Sequence, residues 1–283
     1  MDVLSQADID EKNVGFWNEL CGTQLAQSLG ISDMSNESLV IFDNYYRGYY
    51  PYLERYLNLS KLKGKNVLEV GLGYGTVSQM LALSGANYHG LDIAAKPTAM
   101  VKHRLTKLGL SGDVRVGSML SCPYQDNYFD YVISIGCFHH TGDIQACVNQ
   151  AHRVLNNGGV AIIMLYNKFS YRQWRQWPKI TFLNFLNQML SKENISVTQD
   201  QRAAYDSSSK GDGAPETVFS SIKDVNKIFK NFSNVTVRCE NFDEGVNIKI
   251  GKIFKYNFPS RLKILNSVLC KFLGLDLYIV AEK

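Results

Sequence analysis

From Asn66 onward the chain alternates short apolar runs with helical patterns, and this rhythm restricts the fold more than any other feature of the sequence. Apolar runs at 67–70, 88–91, 114–116, 130–135 and 160–166 carry few polar interruptions, so each reads as a strand buried on both faces. The segments between them place apolar residues at helical spacing, as at Val77, Met80 and Leu81 or at Ile144, Cys147, Val148 and Ala151. Strands that alternate with covering helices predict an α/β fold with a parallel sheet. The first run ends in Glu69-Val70 and enters Gly71-Leu72-Gly73-Tyr74-Gly75-Thr76. Glycines permit a tight turn and close approach of a ligand to the backbone, and the free N–H groups of the next helix hold electron-rich atoms. The loop therefore reads as a cofactor cradle.

Composition bounds the rest. A chain of 283 residues with a net charge of +4 is sized for one large domain, and so small a charge does not demand a nucleic-acid partner. The six cysteines are scattered without a C-x-x-C pair, which points to reduced thiols rather than a zinc site or a disulfide framework. Residues 1–8 lack the basic and apolar regions of a leader, and no apolar run reaches membrane-spanning length, so a cytoplasmic protein is expected.

Residues 1–60 read as an N-terminal helical cap segment, with a short amphipathic stretch from Val14 to Gly22, followed by a main domain over 61–283. Five tyrosines crowd the eight residues Tyr45–Tyr52, where they can pack helices onto the core or wall an active site. After the fifth strand the alternation breaks at about 167–216, too long a stretch for a simple connection, and a lid insertion is expected. Further strands are expected at 235–239 and 277–281. Between them, 250–273 mixes lysines with apolar residues and predicts amphipathic helices that pack on the cap or make a weak peripheral membrane contact.

Two cofactors compete for the glycine loop. A dinucleotide fingerprint requires G-x-G-x-x-G, whereas here the glycines alternate as Gly71-x-Gly73-x-Gly75 behind Glu69. The pattern E-x-G-x-G-x-G resembles motif I of the class I S-adenosylmethionine-dependent methyltransferases, in particular a type 11-like methyltransferase domain. Asp92 at the end of the second strand, Gly117–Tyr124 followed by Phe129-Asp130, His139-His140-Thr141, and Arg153–Gly159 resemble further elements of that family in the same order. The resemblance implies a Rossmann-like doubly wound sheet of seven strands, the last antiparallel, under a helical cap. It also implies S-adenosylmethionine as methyl donor, with no metal, held by Glu69, Gly71, Gly73, Gly75, Asp92, Ser118, Met119 and Gly136. Asp92 is expected to accept both ribose hydroxyls. The family's usual base-contacting aspartate is replaced here by Ser118.

Methyl transfer from a sulfonium mainly needs an acceptor held in line, and a general base only where the acceptor must lose a proton. His139, His140 and Tyr166 stand near the expected methyl position and are the catalytic candidates, while Tyr46, Tyr50 and Trp174 are candidates for the acceptor pocket. No Asn/Asp-Pro-Pro-aromatic motif is present, and Cys122 precedes Pro123 rather than following it, which argues against DNA bases. The expectation is methylation of a small organic molecule or secondary metabolite on oxygen, nitrogen or carbon. The alternatives are an RNA or protein methyltransferase, for which a basic face around Arg172, Arg175 and Lys179 would speak, a non-catalytic protein that binds the cofactor, and last a nicotinamide dehydrogenase. Oligomeric state is not legible.

Overall fold

A computed structural model describes residues 5–19, 23–243, 247–250, 254–257 and 260–283. Its centre is a sheet of seven strands: β1 (Asn66–Val70), β2 (Asn87–Asp92), β3 (Asp113–Val116), β4 (Phe129–Ile135), β5 (Leu155–Tyr166), β6 (Asn234–Glu240) and, last in the chain, Asp276–Glu282. A separate antiparallel pair, β7 (Asn247–Ile250) and β8 (Phe254–Asn257), makes the last strand β9. The sheet order is β3-β2-β1-β4-β5-β9-β6, and β9 runs antiparallel to both of its neighbours. The seven-stranded, doubly wound sheet with its final strand reversed is thus as expected.

Strand order reverses direction between β1 and β4, which pair from Val67↔Tyr131 to Glu69↔Ile133. In open α/β sheets the crevice beyond the carboxyl ends at such a switch point is where ligands bind. Here it gathers the glycine loop after Val70, Asp92 at the end of β2 and Gly136 after β4.

Residue alternation divides the strands between two cores. Leu68, Val70, Val132 and Ile163 enter one, while Val67, Ile133, Ile162 and Tyr278 enter the other. The second core also takes Leu53, Leu57 and Leu62, so the N-terminal segment is built into the domain. That segment holds α1 (Gln6–Trp17), α2 (Gln24–Ser28), α3 (Asn36–Tyr49) and α4 (Leu53–Leu57). The sheet is covered by α5 (Thr76–Leu83), α6 (Ala95–Lys107) and α7 (Ile144–Val154). The stretch expected as an insertion contains α8 (Tyr171–Gln176), α9 (Pro178–Met189) and α10 (Gln199–Ala203), and α11 (Ile222–Ile228) leads back to β6. Helix α9 leaves Phe182, Leu183, Phe185 and Met189 exposed.

Three expectations are corrected. The first helix begins at Gln6, ahead of the expected amphipathic stretch, whose residues 20–22 lie outside the described residues, as does Cys21. Strand β5 starts at Leu155, running through the Asn156–Gly159 turn, because Leu155 already pairs with Phe129. Within 250–273 the described residues form part of the β7–β8 pair, then two short helices, α12 (Arg261–Leu265) and α13 (Val268–Leu273); 251–253 and 258–259 lie outside the described residues. The strands arise where apolar and polar residues alternate singly, as in Ile248-Lys249-Ile250 and Phe254-Lys255-Tyr256. Among the described residues no helix is long and apolar enough to cross a membrane.

Candidate cofactor and acceptor site

The three loop glycines are needed for three different reasons. All have positive φ: 82° at Gly71, 50° at Gly73 and 76° at Gly75. A Cβ on Gly71 would lie 2.4 Å from the Cβ of Cys137, so this glycine lets the loop after β4 close against the loop after β1. A Cβ on Gly75 would meet Val101 and Arg104 of α6 at 3.0 Å. Gly73 meets nothing within 4 Å. It is the glycine with free space beside it, where a ligand can lie along the backbone. Gly75 also starts α5 without a side-chain cap, leaving the first-turn N–H groups without intrahelical acceptors.

Asp92 lies just beside this loop. Its Oδ2 accepts the Leu72 N–H at 2.7 Å and its Oδ1 accepts the Ala94 N–H at 2.8 Å. These bonds fix the carboxylate plane, and one lone pair on each oxygen remains for a vicinal diol. Burial raises the Asp92 carboxyl to about 6 even though both backbone donors act to lower it. Glu69 is more enclosed. Ser78 and Tyr88 each donate to its Oε2 at 2.6 Å, yet burial pushes it up to about 7. Ser118 accepts the Leu120 N–H at 3.2 Å, which leaves its own hydroxyl hydrogen free, and Met119 beside it is buried. Gly136 has φ of 83° and a Met164 methyl 3.4 Å from its would-be Cβ.

Glu69, the three loop glycines, Asp92, Ser118, Met119 and Gly136 line one cavity of about 530 Å³. That volume is in the range of small-molecule sites. Its far wall is aromatic. Tyr46 and Tyr50 line it with ring centroids 4.8 Å apart, whereas Tyr52 packs into the core against Tyr278. The tyrosine run is thus divided between the cavity and the core.

The two adjacent histidines are placed differently. His140 lines the cavity, and its Nδ1 lies 2.7 Å from the Glu216 carbonyl. A carbonyl only accepts, so Nδ1 carries a hydrogen, and in the neutral form of the ring Nε2 is the acceptor. That Nε2 sits 3.3 Å from Asp206 Oδ2, close enough for an ion pair but without hydrogen-bond alignment. Tyr166 also lines the cavity and donates to the same carboxylate oxygen at 2.8 Å. His139 lies outside the lining, fully buried, with its ring centroid 4.0 Å from that of Tyr166. Burial holds its imidazole well below the usual histidine range, so it is neutral.

Trp174 also lies outside the lining. Helix α8 turns Gln173 inward instead, where its carbonyl accepts from Gln201 Nε2 at 2.8 Å. The insertion reaches the cavity through Tyr205 and Asp206, just after α10. Helix α1 closes the remaining side with Asp10, Asn13 and Trp17, which fall on one helical face. Asn13 Nδ2 donates to the His140 carbonyl at 2.7 Å, and Trp17 packs 5.0 Å from the His140 ring. Asn13, Trp17, Tyr205 and Asp206 were not among the sequence candidates. Arg172, one of the residues whose basic face would speak for the RNA or protein alternative, is enclosed by Asp243 at 2.6 Å and stacked over Tyr205.

Residues 68–163 match a family model described as a methyltransferase domain. Over 110 residues the chain is 30% identical to a phosphoethanolamine N-methyltransferase 2 from Caenorhabditis elegans, covering 37% of this chain and 24% of that protein. It is 28% identical over 108 residues to a ubiquinone biosynthesis O-methyltransferase from Pseudomonas aeruginosa, covering 38% of this chain and 47% of that protein. The chain thus spans less than half the length of these curated relatives. Among solved structures, an S-adenosylmethionine dependent methyltransferase from Mesorhizobium loti has a TM-score of 0.56 at 15% identity, over 83% of this chain and 97% of that one, a likeness of fold.

Proposed function

The chain carries a class I, Rossmann-like methyltransferase domain, and on that premise we propose that it transfers a methyl group from S-adenosylmethionine to a small organic molecule. The observation that carries this reading is the shared cavity, in which the glycine loop and Asp92 stand on one side and His140, Tyr166 and an aromatic wall on the other. When bound, the donor supplies an electrophilic sulfonium methyl group.

The residues present fit that group. Gly73 offers open backbone, Asp92 offers two oriented acceptors for the ribose hydroxyls, and Ser118 with Met119 would meet the base. Glu69 and Gly71 fix the loop, and Gly136 brings the β4 loop against it. On the acceptor side His140 is the general base, through Nε2. Tyr166 holds the acceptor and orients Asp206, and His139 supports the Tyr166 ring from beneath. Tyr46 and Tyr50 wall the acceptor pocket. Enclosure of the site excludes water and holds the acceptor in line, which accounts for much of the catalysis required.

Isothermal titration with S-adenosylhomocysteine, followed by a screen of metabolite extracts with a methyl-labelled donor, tests this proposal. Binding together with label transfer to a small molecule is expected. Binding without transfer to any fraction would mark a non-catalytic cofactor protein, and binding of NADH in place of S-adenosylhomocysteine would overturn the donor assignment.

A further inference from the structure

The acceptor corner of the cavity is rich in hydrogen-bond acceptors and poor in donors. With Nδ1–H committed to the Glu216 carbonyl, the neutral His140 imidazole presents Nε2 as an acceptor. Asn13 presents Oδ1 as its remaining group, since its Nδ2 is committed to the His140 carbonyl. Both Nε2 and Oδ1 belong to cavity-lining side chains that are 3% exposed, and neither has a hydrogen-bond partner. Asp206 adds a carboxylate. Two of the hydroxyls beside His140 are already donating: Tyr166 to Asp206, and Thr141 to the Phe138 carbonyl at 2.8 Å.

The charge balance has the same sign. Four carboxylates line the cavity, those of Asp10, Glu69, Asp92 and Asp206, and among the described residues no lysine or arginine lines it. An anionic acceptor would find no lysine or arginine in this lining, and only the donor's own sulfonium as counter-charge. Aromatic faces complete the corner. Tyr166 lines it and Trp17 packs beside His140, while the Tyr205 ring is already taken up by Tyr166 at 4.6 Å and by the Arg172 guanidinium at 4.3 Å. Aromatic faces around a carboxylate attract cations.

We propose that the acceptor is a protonated amine on an uncharged, apolar body, its ammonium group held by Asp206, His140 and Asn13 beside Trp17 and Tyr166. This rests on the donor reading above. A primary ammonium brings three donors and one positive charge, whereas an alcohol or phenol brings one donor and none. The ammonium first yields a proton to His140 Nε2, and the resulting imidazolium lies beside Asp206. The freed nitrogen lone pair then forms the N–CH3 bond as the C–S bond breaks, and that electron pair stays on sulfur. The product is the N-methylated ammonium and a neutral thioether. Asp206 is a positioning residue for the imidazole as well as a ligand of the cation.

The test compares phenethylammonium, 2-phenylethanol and phenylacetate by isothermal titration, with the protein free and saturated with S-adenosylhomocysteine. The cation is expected to bind at least about tenfold more tightly than the other two. Asp206→Asn is expected to remove about tenfold of that preference, and Trp17→Leu to weaken the cation alone, with melting temperatures confirming that each variant is folded. In the labelled methyl-transfer assay phenethylamine should be methylated, and 2-phenylethanol and phenylacetate should not. Equal binding of all three probes, tighter binding of phenylacetate, or an unchanged preference in both variants would overturn the amine assignment. Failure of S-adenosylhomocysteine to bind would remove the donor reading instead, and the titration of the free protein would still decide the cation preference.

Discussion

The guanidinium of Arg104 grips both carboxylate oxygens of Asp43, Nη1 to Oδ2 and Nη2 to Oδ1, each at 2.9 Å. Arg104 belongs to α6 and Asp43 to α3, so this bidentate pair ties the N-terminal helices to the domain. The same arginine donates through Nε to the Tyr74 carbonyl at 2.5 Å, inside the glycine loop, and Thr76 donates to Asp43 at 2.6 Å. Phe42, next to Asp43, stacks on Tyr74 with centroids 3.9 Å apart. The cap is therefore fastened to the loop itself, and the position of one depends on the other.

Asp43→Ala leaves the Arg104 guanidinium, 2% exposed, without its counter-charge. Removing one partner of a buried pair destabilises by about 3–5 kcal/mol, whereas replacing both by apolar residues of similar volume is often close to neutral. Urea denaturation should place Asp43→Ala far below the wild type and the double variant Asp43→Leu/Arg104→Met well above the single one. A single variant with an unchanged midpoint would show that the pair does not anchor the cap.

Gly71 and Gly73 separate folding from binding. Gly71→Ala would drive a methyl group into Cys137, with only backbone and a short side chain able to yield, so loss of the folded protein is expected. Gly73→Ala meets open space at a φ of 50° that non-glycine residues adopt at a cost of about 1–2 kcal/mol. It should fold, with a modestly lower melting temperature, and bind S-adenosylhomocysteine much more weakly. Wild-type affinity in Gly73→Ala would remove the backbone at this glycine from the cofactor site.

Much of this was legible in the residues themselves. Near-continuous apolar runs and period-3.6 patterns located the strands and covering helices, because a strand buried on both faces and a helix buried on one leave different traces. The glycine loop and Asp92 were legible because backbone geometry restricts what can stand there. The acceptor side was far less so. Helix α1 buries only Asn13, so no apolar stripe announces a helix that closes the site. Asp206 reaches His140 and Tyr166 through tertiary folding alone, some 40 residues beyond Tyr166. Trp174 attracted attention by residue type, yet its neighbour Gln173 is the one turned inward. His139 and His140 are indistinguishable by spacing, and the tight turn Phe138–His140 sends successive side chains in different directions.

Glu69 makes stability depend on pH in a definite direction. Burial raises its folded pKa to about 7, above the value of 4.5 for an unperturbed glutamate. The folded state therefore binds the proton more tightly, and Glu69's contribution to stability is fully present below about 4.5 and is lost as pH rises to about 7. Glu69→Gln keeps the oxygen that Ser78 and Tyr88 need and removes the titration. Denaturation at pH 5 and pH 8 should show the variant gaining on the wild type at the higher pH, by on the order of 3 kcal/mol. The same pH dependence in both proteins would mean that the carboxyl is not held protonated by its burial.

His140 and His139 should fail in different ways. If His140 Nε2 takes the acceptor's proton, His140→Ala loses general-base catalysis, worth about 10²–10⁴-fold in turnover. Its affinity for S-adenosylhomocysteine should stay within about twofold of the wild type, because the general base acts on the acceptor and not on the donor. His139 lies under the Tyr166 ring and outside the cavity, so His139→Ala creates a buried void. It should lower the melting temperature by several degrees and reduce turnover only as far as Tyr166 shifts. Steady-state kinetics with thermal denaturation of both variants separates the roles. A His140 variant with near wild-type turnover, beside a stable His139 variant without activity, would reassign the base.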